Sequence, residues 1–400
     1  MLRPSIEVRK ATLYDESAVK LFYQQAYGER GTYKYPERWR WLYVDNPFIP
    51  EGMAPTVWIA VHQGRVVGHS GAMYVPLQIG EKTFPSSWGV DLAVLDEFQG
   101  RGIAKQLLSA NLKAQMVSIS ISASPVTRAI RRKLGGIEGP SVNFYSYTTK
   151  LATKFLFERL KSRVSLLERN RQNPHIFTAI ERTKLTSFAA YLIQLYLHYL
   201  QCRDQPLREH AVTFRAVTGR FQSEADELFQ QIKQHYHLAV ERTSRYLNWK
   251  FVDQPFAKFQ RYYIVHKEQI IGLLIYRLAR DPEPPIGIIC ELYTVDNSIQ
   301  TLAQIIRSAR SMLLAQGAIG VYCASALPAQ QTALDMAGFL RISSKRVLIS
   351  FQDSALNGQS LPVCETSPTL FGRGDHDLDE FPWGQQITLS QVLDVLRNPR

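Results

Sequence analysis

Apolar and polar residues alternate over residues 6–12, which predicts a short strand. The spacing then becomes helical, with Val19, Phe22 and Ala26 on one face. The polar pair Gln63-Gly64 separates two runs rich in Val, Ile and aromatic residues and predicts a hairpin. Residues 88–95 read as a further strand, followed by a glycine-containing turn and a helix over 103–116. A strand is expected over 117–123 and a helix over 125–134, with Pro125 at a favoured first-turn position and Gly135 and Gly136 as the stop. A last strand is expected over 141–149. This order is α/β of the α+β kind, a mixed sheet with helices on its faces.

Much of this pattern occurs twice. The run Trp41 to Phe48 recurs as Trp249 to Phe256, both holding Val-Asp-x-Pro-Phe. The run Trp58 to Gly68 recurs as Tyr262 to Gly272. Upstream, Val8 to Thr12 matches Phe214 to Thr218, and downstream Leu134 to Gly136 matches Ala337 to Phe339. A near-constant offset along the whole run indicates two copies of one unit. The chain therefore divides into a first copy over 1–150, a helical linker over 151–210, a second copy over 211–352 and a tail over 353–400. Within the linker 151–171 is charged and 185–200 largely apolar. The tail is expected to be irregular until a short amphipathic helix at 387–396.

Composition narrows the class. Hydrophobic residues make up 45% and charged residues 20%, a globular balance, and 400 residues suit two domains. Cys202, Cys290, Cys323 and Cys364 lie far apart, with neither metal-ligand spacing nor a disulfide framework. No apolar segment follows Met1, so a secretory leader is not expected and a reducing cytoplasm is. The apolar run 185–200 carries Gln194 and His198 and is shorter than the roughly 18–20 residues a membrane span needs, so it reads as a packed helix, with a membrane-surface helix as the alternative. The formal charge of +12 favours anionic partners: phosphate groups, nucleic acid or acidic lipid. Part of it is local, between Lys150 and Arg171, and reads as a solvated helix face. The acidic run 375–380 lacks the central glycine and distal glutamate of a calcium loop.

The chemistry concentrates after residue 91. An apolar strand runs into Gln99-Gly100-Arg101-Gly102-Ile103-Ala104, and a helix begins there. Glycines let a ligand approach the backbone, and the unpaired amides of a helix start, with the positive end of its dipole, suit a pyrophosphate. This turn resembles the Arg/Gln-x-x-Gly-x-Gly/Ala signature of the GNAT acetyltransferase superfamily, and the surrounding order of elements is similar. The resemblance implies two tandem GNAT folds, each a mixed, mostly antiparallel sheet flanked by helices. It implies that Gln99, Gly100, Arg101, Gly102, Ile103 and Ala104 cradle the CoA pyrophosphate. Leu92 and Val94 would then offer backbone hydrogen bonds to the pantetheine arm. A second signature, Asn-x-x-Ala-x-x-Leu-Tyr-x-x-x-Gly-Phe, matches the run from Ser124 to Gly136, with Ser124 in place of Asn and Arg131 in place of Tyr. The family's usual proton donor to the thiolate is thus missing. Guanidinium stays protonated, so Arg131 cannot replace it as an acid. It remains a candidate for thiolate or CoA-phosphate binding, or a surface arginine.

Candidate bases are Asp91 on the motif strand and His69 on the strand before it. Asp91 equally suits a turn or an arginine pair, and His69 a satisfied strand position. Tyr145 and Tyr147 face either the cleft or the packing of their strand. Arg40, Trp41, Tyr43 and Asp45 suit an acceptor pocket, but the recurrence of their segment favours packing. In the second copy, Glu291 to Leu302 has no glycine at the turn, and CoA binding is not expected there. The expected function is transfer of an acetyl group from acetyl-CoA to a primary amine: a small molecule, an amino sugar or a lysine. Alternatives are tRNA-dependent aminoacyl transfer and non-catalytic acyl-CoA binding. Nucleic-acid binding and a transmembrane segment are not expected.

Overall fold

The computed structural model describes residues 6–28, 31, 34–149, 212–280, 284–352 and 363–377. The helical readings of 151–210 and 387–396 lie outside them.

The first run of elements is β1 (Glu7–Lys10), α1 (Glu16–Tyr27), α2 (Glu37–Tyr43), β2 (Val57–His62), β3 (Arg65–Ile79), β4 (Lys82–Val94), α3 (Ile103–Lys113), β5 (Val117–Ser120), α4 (Pro125–Lys133) and β6 (Ile137–Thr148). The second is β7 (Thr213–Ala216), α5 (Ser223–Ile232), β8 (Leu238–Val240), α6 (Ser244–Phe251), β9 (Gln260–His266), β10 (Gln269–Ala279), β11 (Ile286–Thr294), α7 (Ile299–Ala315), β12 (Gly320–Ser325), α8 (Pro328–Met336) and β13 (Leu340–Phe351). Apart from β8, the order repeats. The strand expected at 88–95 is the end of the much longer β4, because the polar residues Ser86 and Ser87 are buried in the sheet and interrupt the apolar pattern.

Local chemistry accounts for the element ends. Gln63 and Gly64 both have left-handed φ (51° and 76°), the two-residue turn that matches the twist of a hairpin. Ser124 caps α4, its hydroxyl accepting from the Thr127 amide at 3.2 Å, with Pro125 in the first turn. Val19, Phe22 and Tyr23 form the buried stripe of α1.

The chain forms two compact units whose limits differ from those of the repeat. The first draws on Met1–Val142, Val217–Lys258 and Lys345–Phe371, over their described residues. Its strands run in the order β1, β2, β3, β4, β5, β13, with β4 and β5 parallel and the other pairs antiparallel. The closing strand pair joins Leu348–Phe351 to Val117–Ser120. The second unit draws on Asn143–Ala216, Phe259–Ser344 and Gly372–Arg400, again over described residues. Its order is β7, β9, β10, β11, β12 and then β6, whose residues 143–148 pair antiparallel with Gly320–Ser325. Each unit thus takes in a strand from the other half of the sequence. Domain limits at 150 and 211 follow the repeat, whereas compactness follows hydrogen-bonded edges that the exchanged strands complete.

Residues 363–377 of the tail are more regular than expected. β14 (Thr369–Leu370) pairs parallel with β8, and Arg373–Asp375 forms a 3-10 turn. Buried Phe371 explains the order, its ring lying edge-on to Trp88 at 5.1 Å.

In the first unit the repeated tryptophan segment meets itself. Trp41 and Trp249 stack with centroids 4.8 Å apart and 18° between planes. Each indole N–H donates to the other's backbone carbonyl, at 3.2 and 3.5 Å. The recurrence of this segment is explained by packing around that stack, worth about 0.5–1.5 kcal/mol beyond burial.

Candidate active site

β4 and β5 are paired only over Ser86–Trp88 and Val117–Ile119. Beyond Trp88 the two strands part, and the edge of β4 that faced β5 is left without that partner. α3 and α4 begin on either side of this opening. Between them lies a wedge of about 890 Å³, lined by Leu92 to Gly100, by Gly102 to Lys105, and by Ser124, Val126, Thr127 and Ile130. Arg65 also reaches it.

The turn at the mouth of the wedge is built for close approach. Gly100 and Gly102 have φ of 75° and 77°, and a Cβ at either would meet no atom within 4 Å. Gly102 caps α3, and the first helical bond is from the Gln106 amide to its carbonyl, 3.2 Å. The amides of Ile103, Ala104 and Lys105 therefore precede the ladder at the positive end of the helix. Gln99 and Arg101 serve the turn itself. Gln99 donates to the Val94 carbonyl (3.2 Å) and to Asp96 (2.8 Å). Arg101 donates to the Glu97 carbonyl at 2.9 Å and lies over the Phe98 ring. The sequence-predicted cofactor residues Leu92, Val94, Gln99, Gly100, Gly102, Ile103, Ala104 and Ser124 are thus brought together, while Arg101 flanks the wedge.

Asp91 and His69 form one buried network beside the wedge. Asp91 has a φ of 52° and sits where the β3–β4 ladder shifts register, between the pairs His69↔Ala93 and Gly71↔Val90. Its carboxylate accepts from Arg38 and from the Tyr43 hydroxyl, both at 2.6 Å, and from Lys34. Burial opposes its ionisation, but Arg38 and Lys34 outweigh burial and hold the carboxyl well below the usual carboxylate range. His69 is fully buried, and burial pushes its pKa down to about 4. Its Nδ1 is 2.9 Å from the Asp91 carbonyl, which can only accept, so Nδ1 carries the proton. Nε2 then accepts from the Tyr23 hydroxyl at 3.0 Å. Lys34 and Arg38 escaped the sequence reading because a buried cation looks like a surface cation in a sequence, whereas Tyr43, read there as a pocket or packing residue, is fully buried and donates to Asp91.

Tyr145 lies elsewhere. It is 1% exposed in the apolar core of the second unit, on the exchanged strand β6, among Ile264, Leu274 and Cys323. Its place in the sequence puts it after the second signature, but strand exchange assigns it to the second unit.

Arg131 is not a surface arginine. It is 2% exposed, and its Nη2 donates to the Ser118 carbonyl (3.0 Å), the Ser118 hydroxyl (3.2 Å) and the Ser350 hydroxyl (3.3 Å). Burial, with Arg128 adding repulsion, lowers its pKa to about 10, which leaves it protonated at neutral pH.

The second unit has a corresponding opening without the turn. β11 and β12 pair at Gly287↔Val321 and Ile288↔Tyr322 only. The amide of Thr301 is capped by the Ser298 hydroxyl at 3.4 Å, and Asn297 takes the left-handed position. Gly372 bridges Ser325, and a side chain on it would lie 3.5 Å from the carbonyls of both Cys290 and Ala324. The chain's own tail therefore lies between the parted strands.

Among the described residues no helix is long and apolar enough to cross a membrane. Residues 7–130 match the family described as Acetyltransferase (GNAT) domain. No curated protein matches the sequence. A GCN5-related N-acetyltransferase from Anabaena variabilis has a similar structure, with a TM-score of 0.55 at 13% identity, over 87% of this chain and 73% of that one. Saccharomyces cerevisiae N-myristoyltransferase, solved with myristoyl-CoA and inhibitors, gives a TM-score of 0.55 at 12% identity, over 87% and 80%. Over most of its length the chain thus has a fold similar to that of these acyltransferases, and the match to the acetyltransferase (GNAT) domain family lies in residues 7–130.

Proposed function

We propose that this protein is an acyl-CoA-dependent N-acyltransferase that moves an acetyl group from acetyl-CoA to a primary amine. The observation that carries the reading is the open glycine turn of Gly100 and Gly102 before the free amides of α3. That geometry suits a pyrophosphate, and Lys105 on the wedge carries a positive charge. The resemblance to an N-myristoyltransferase solved with its acyl-CoA supports the same class of donor. A linear pantetheine arm running inward from the turn would follow Leu92 to Val94, where β4 lacks a neighbour on the β5 side. Acetyl-CoA supplies an activated acyl carbon, and this chain supplies binding, orientation and backbone donors along β4.

In this reading Asp91 and His69 hold the strand irregularity in place. His69 is buried and neutral, and Asp91 is a weak base because two cations stabilise its charge. Loss of the amine proton falls to solvent, so turnover should rise with pH toward the amine pKa, about 10.4 for a lysine. The test is thiol release from acetyl-CoA against a panel of small amines, amino sugars and lysine peptides. Release that depends on one acceptor class supports the reading. Absence of acetyl-CoA binding in calorimetry would end it.

A further inference from the structure

Arg131 occupies the apex of the strand opening. The last β4–β5 pair is Trp88↔Ile119. Gly89 is the next residue of β4, and a Cβ on it would come within 2.9 Å of Arg131 Nη1. On β5 the same guanidinium bonds both the carbonyl and the hydroxyl of Ser118. The cation thus spans the two strands where they part, and glycine at 89 leaves the room it needs. Arg131 directly follows Ile130, which lines the wedge, and Gly89 lies three residues before Leu92, where the β4 lining starts.

Among the described residues no carboxylate answers this charge. Its acceptors, from β5 and β13, are a carbonyl and two hydroxyls, and its Nε has no hydrogen-bond partner. The neighbouring charges on its own helix are Arg128 and Arg132, and Glu138 pairs with those two instead. Gly89 on β4 carries no charge. A buried cation is costly unless a negative group meets it. On the acyl-CoA reading, on which this inference rests, the arm entering from the glycine turn brings its sulfur toward this apex.

We propose that Arg131 is a catalytic residue: its guanidinium, at the apex of the β4–β5 opening, stabilises the CoA sulfur as a departing thiolate. The amine nitrogen forms a bond to the acyl carbon, and the carbon–sulfur bond breaks with its electron pair going to sulfur. The surplus amine proton goes to solvent. The sulfur leaves as an anion beside a fixed positive charge, so no proton donor is needed at the position where the family pattern has tyrosine.

The test is the thiol pKa of bound CoA, followed by thiolate absorbance against pH in the full-length wild type, Arg131→Met, Arg131→Lys and Gly89→Ala. A free alkyl thiol titrates near 8.5. The wild type is expected to titrate bound CoA at least one unit lower, Arg131→Met to return it to the free value, and Arg131→Lys to keep part of the shift. Gly89→Ala keeps the charge but pushes the guanidinium aside, and should lose part of the shift if Arg131→Met fails to fold. Arg131→Tyr should retain turnover, because it donates the proton instead, while losing the shift in thiol pKa. Equal thiol pKa values in CoA-loaded wild type and Arg131→Met or Gly89→Ala would overturn the proposal. A wild type that binds no CoA would overturn the acyl-CoA reading itself.

Discussion

Burial acts on Asp91 and His69 in ways that pH can separate. Asp91 stays ionised because Arg38, Lys34 and Tyr43 answer its charge. Asp91→Asn leaves those cations buried without it, and removal of one partner of such a pair typically costs about 3–5 kcal/mol. Denaturant unfolding at pH 7 measures this, and a loss under about 1 kcal/mol would mean that the network is not structural. His69 is held neutral, with a folded pKa of about 4 against 6.5 unfolded. The unfolded chain therefore takes up the proton first as pH falls. The resulting loss of stability begins near pH 6.5 and is complete near pH 4, reaching about 2–3 kcal/mol by pH 4.5. His69→Gln should flatten the stability curve between pH 7 and 4.5. An unchanged slope would show that another group carries it.

At the scale of elements, the turn between β4 and α3 was legible from residues 99–104 alone, because glycine spacing and helix starts are local physics. The caps of α4 were legible for the same reason. What stayed hidden was non-local: the exchanged edges β6 and β13, the short β8–β14 pair, and the clamp from α2 onto Asp91. An arginine such as Arg131, followed by Arg132 and Lys133, reads as a solvated run, yet one member of the run points inward. Helical spacing could have signalled it, since Thr127 and Ile130 line the wedge and Arg131 falls on an adjacent face. The turn itself makes a direct prediction. Gly102→Val places a branched side chain in the open space at the proposed pyrophosphate site and also strains a left-handed position, by about 1–2 kcal/mol. Gly102→Asn tolerates that conformation better, so it separates occlusion from strain. Both variants should lose acetyl-CoA affinity more than tenfold in calorimetry, and the Asn variant should melt near the wild type. Affinity retained by a folded Gly102→Asn protein would remove the turn from the binding site.

At the scale of the whole chain, the repeat raises the question of how many acyl-CoA molecules one chain binds. Both units part their central parallel strands, β4 from β5 and β11 from β12, but only the first opening carries the glycine turn. In the second unit, Ser298 caps the start of α7 with its own hydroxyl, so one amide that a phosphate would use is already engaged. The strand gap holds the segment at Gly372, with buried Arg373 and Asp375 following it. Two independent features therefore oppose a ligand there, one at the phosphate end and one at the acyl end. One acetyl-CoA per chain is expected, and the site should vanish with Gly102→Asn. Restoring glycine at position 297 or 298 alone should not create a second site, because the tail still fills the gap between the strands. Calorimetric titration of the full chain measures the stoichiometry. Two equivalent sites in the wild type, or a second site that appears with Ser298→Gly while residues 369–377 are intact, would show that the tail does not exclude the ligand.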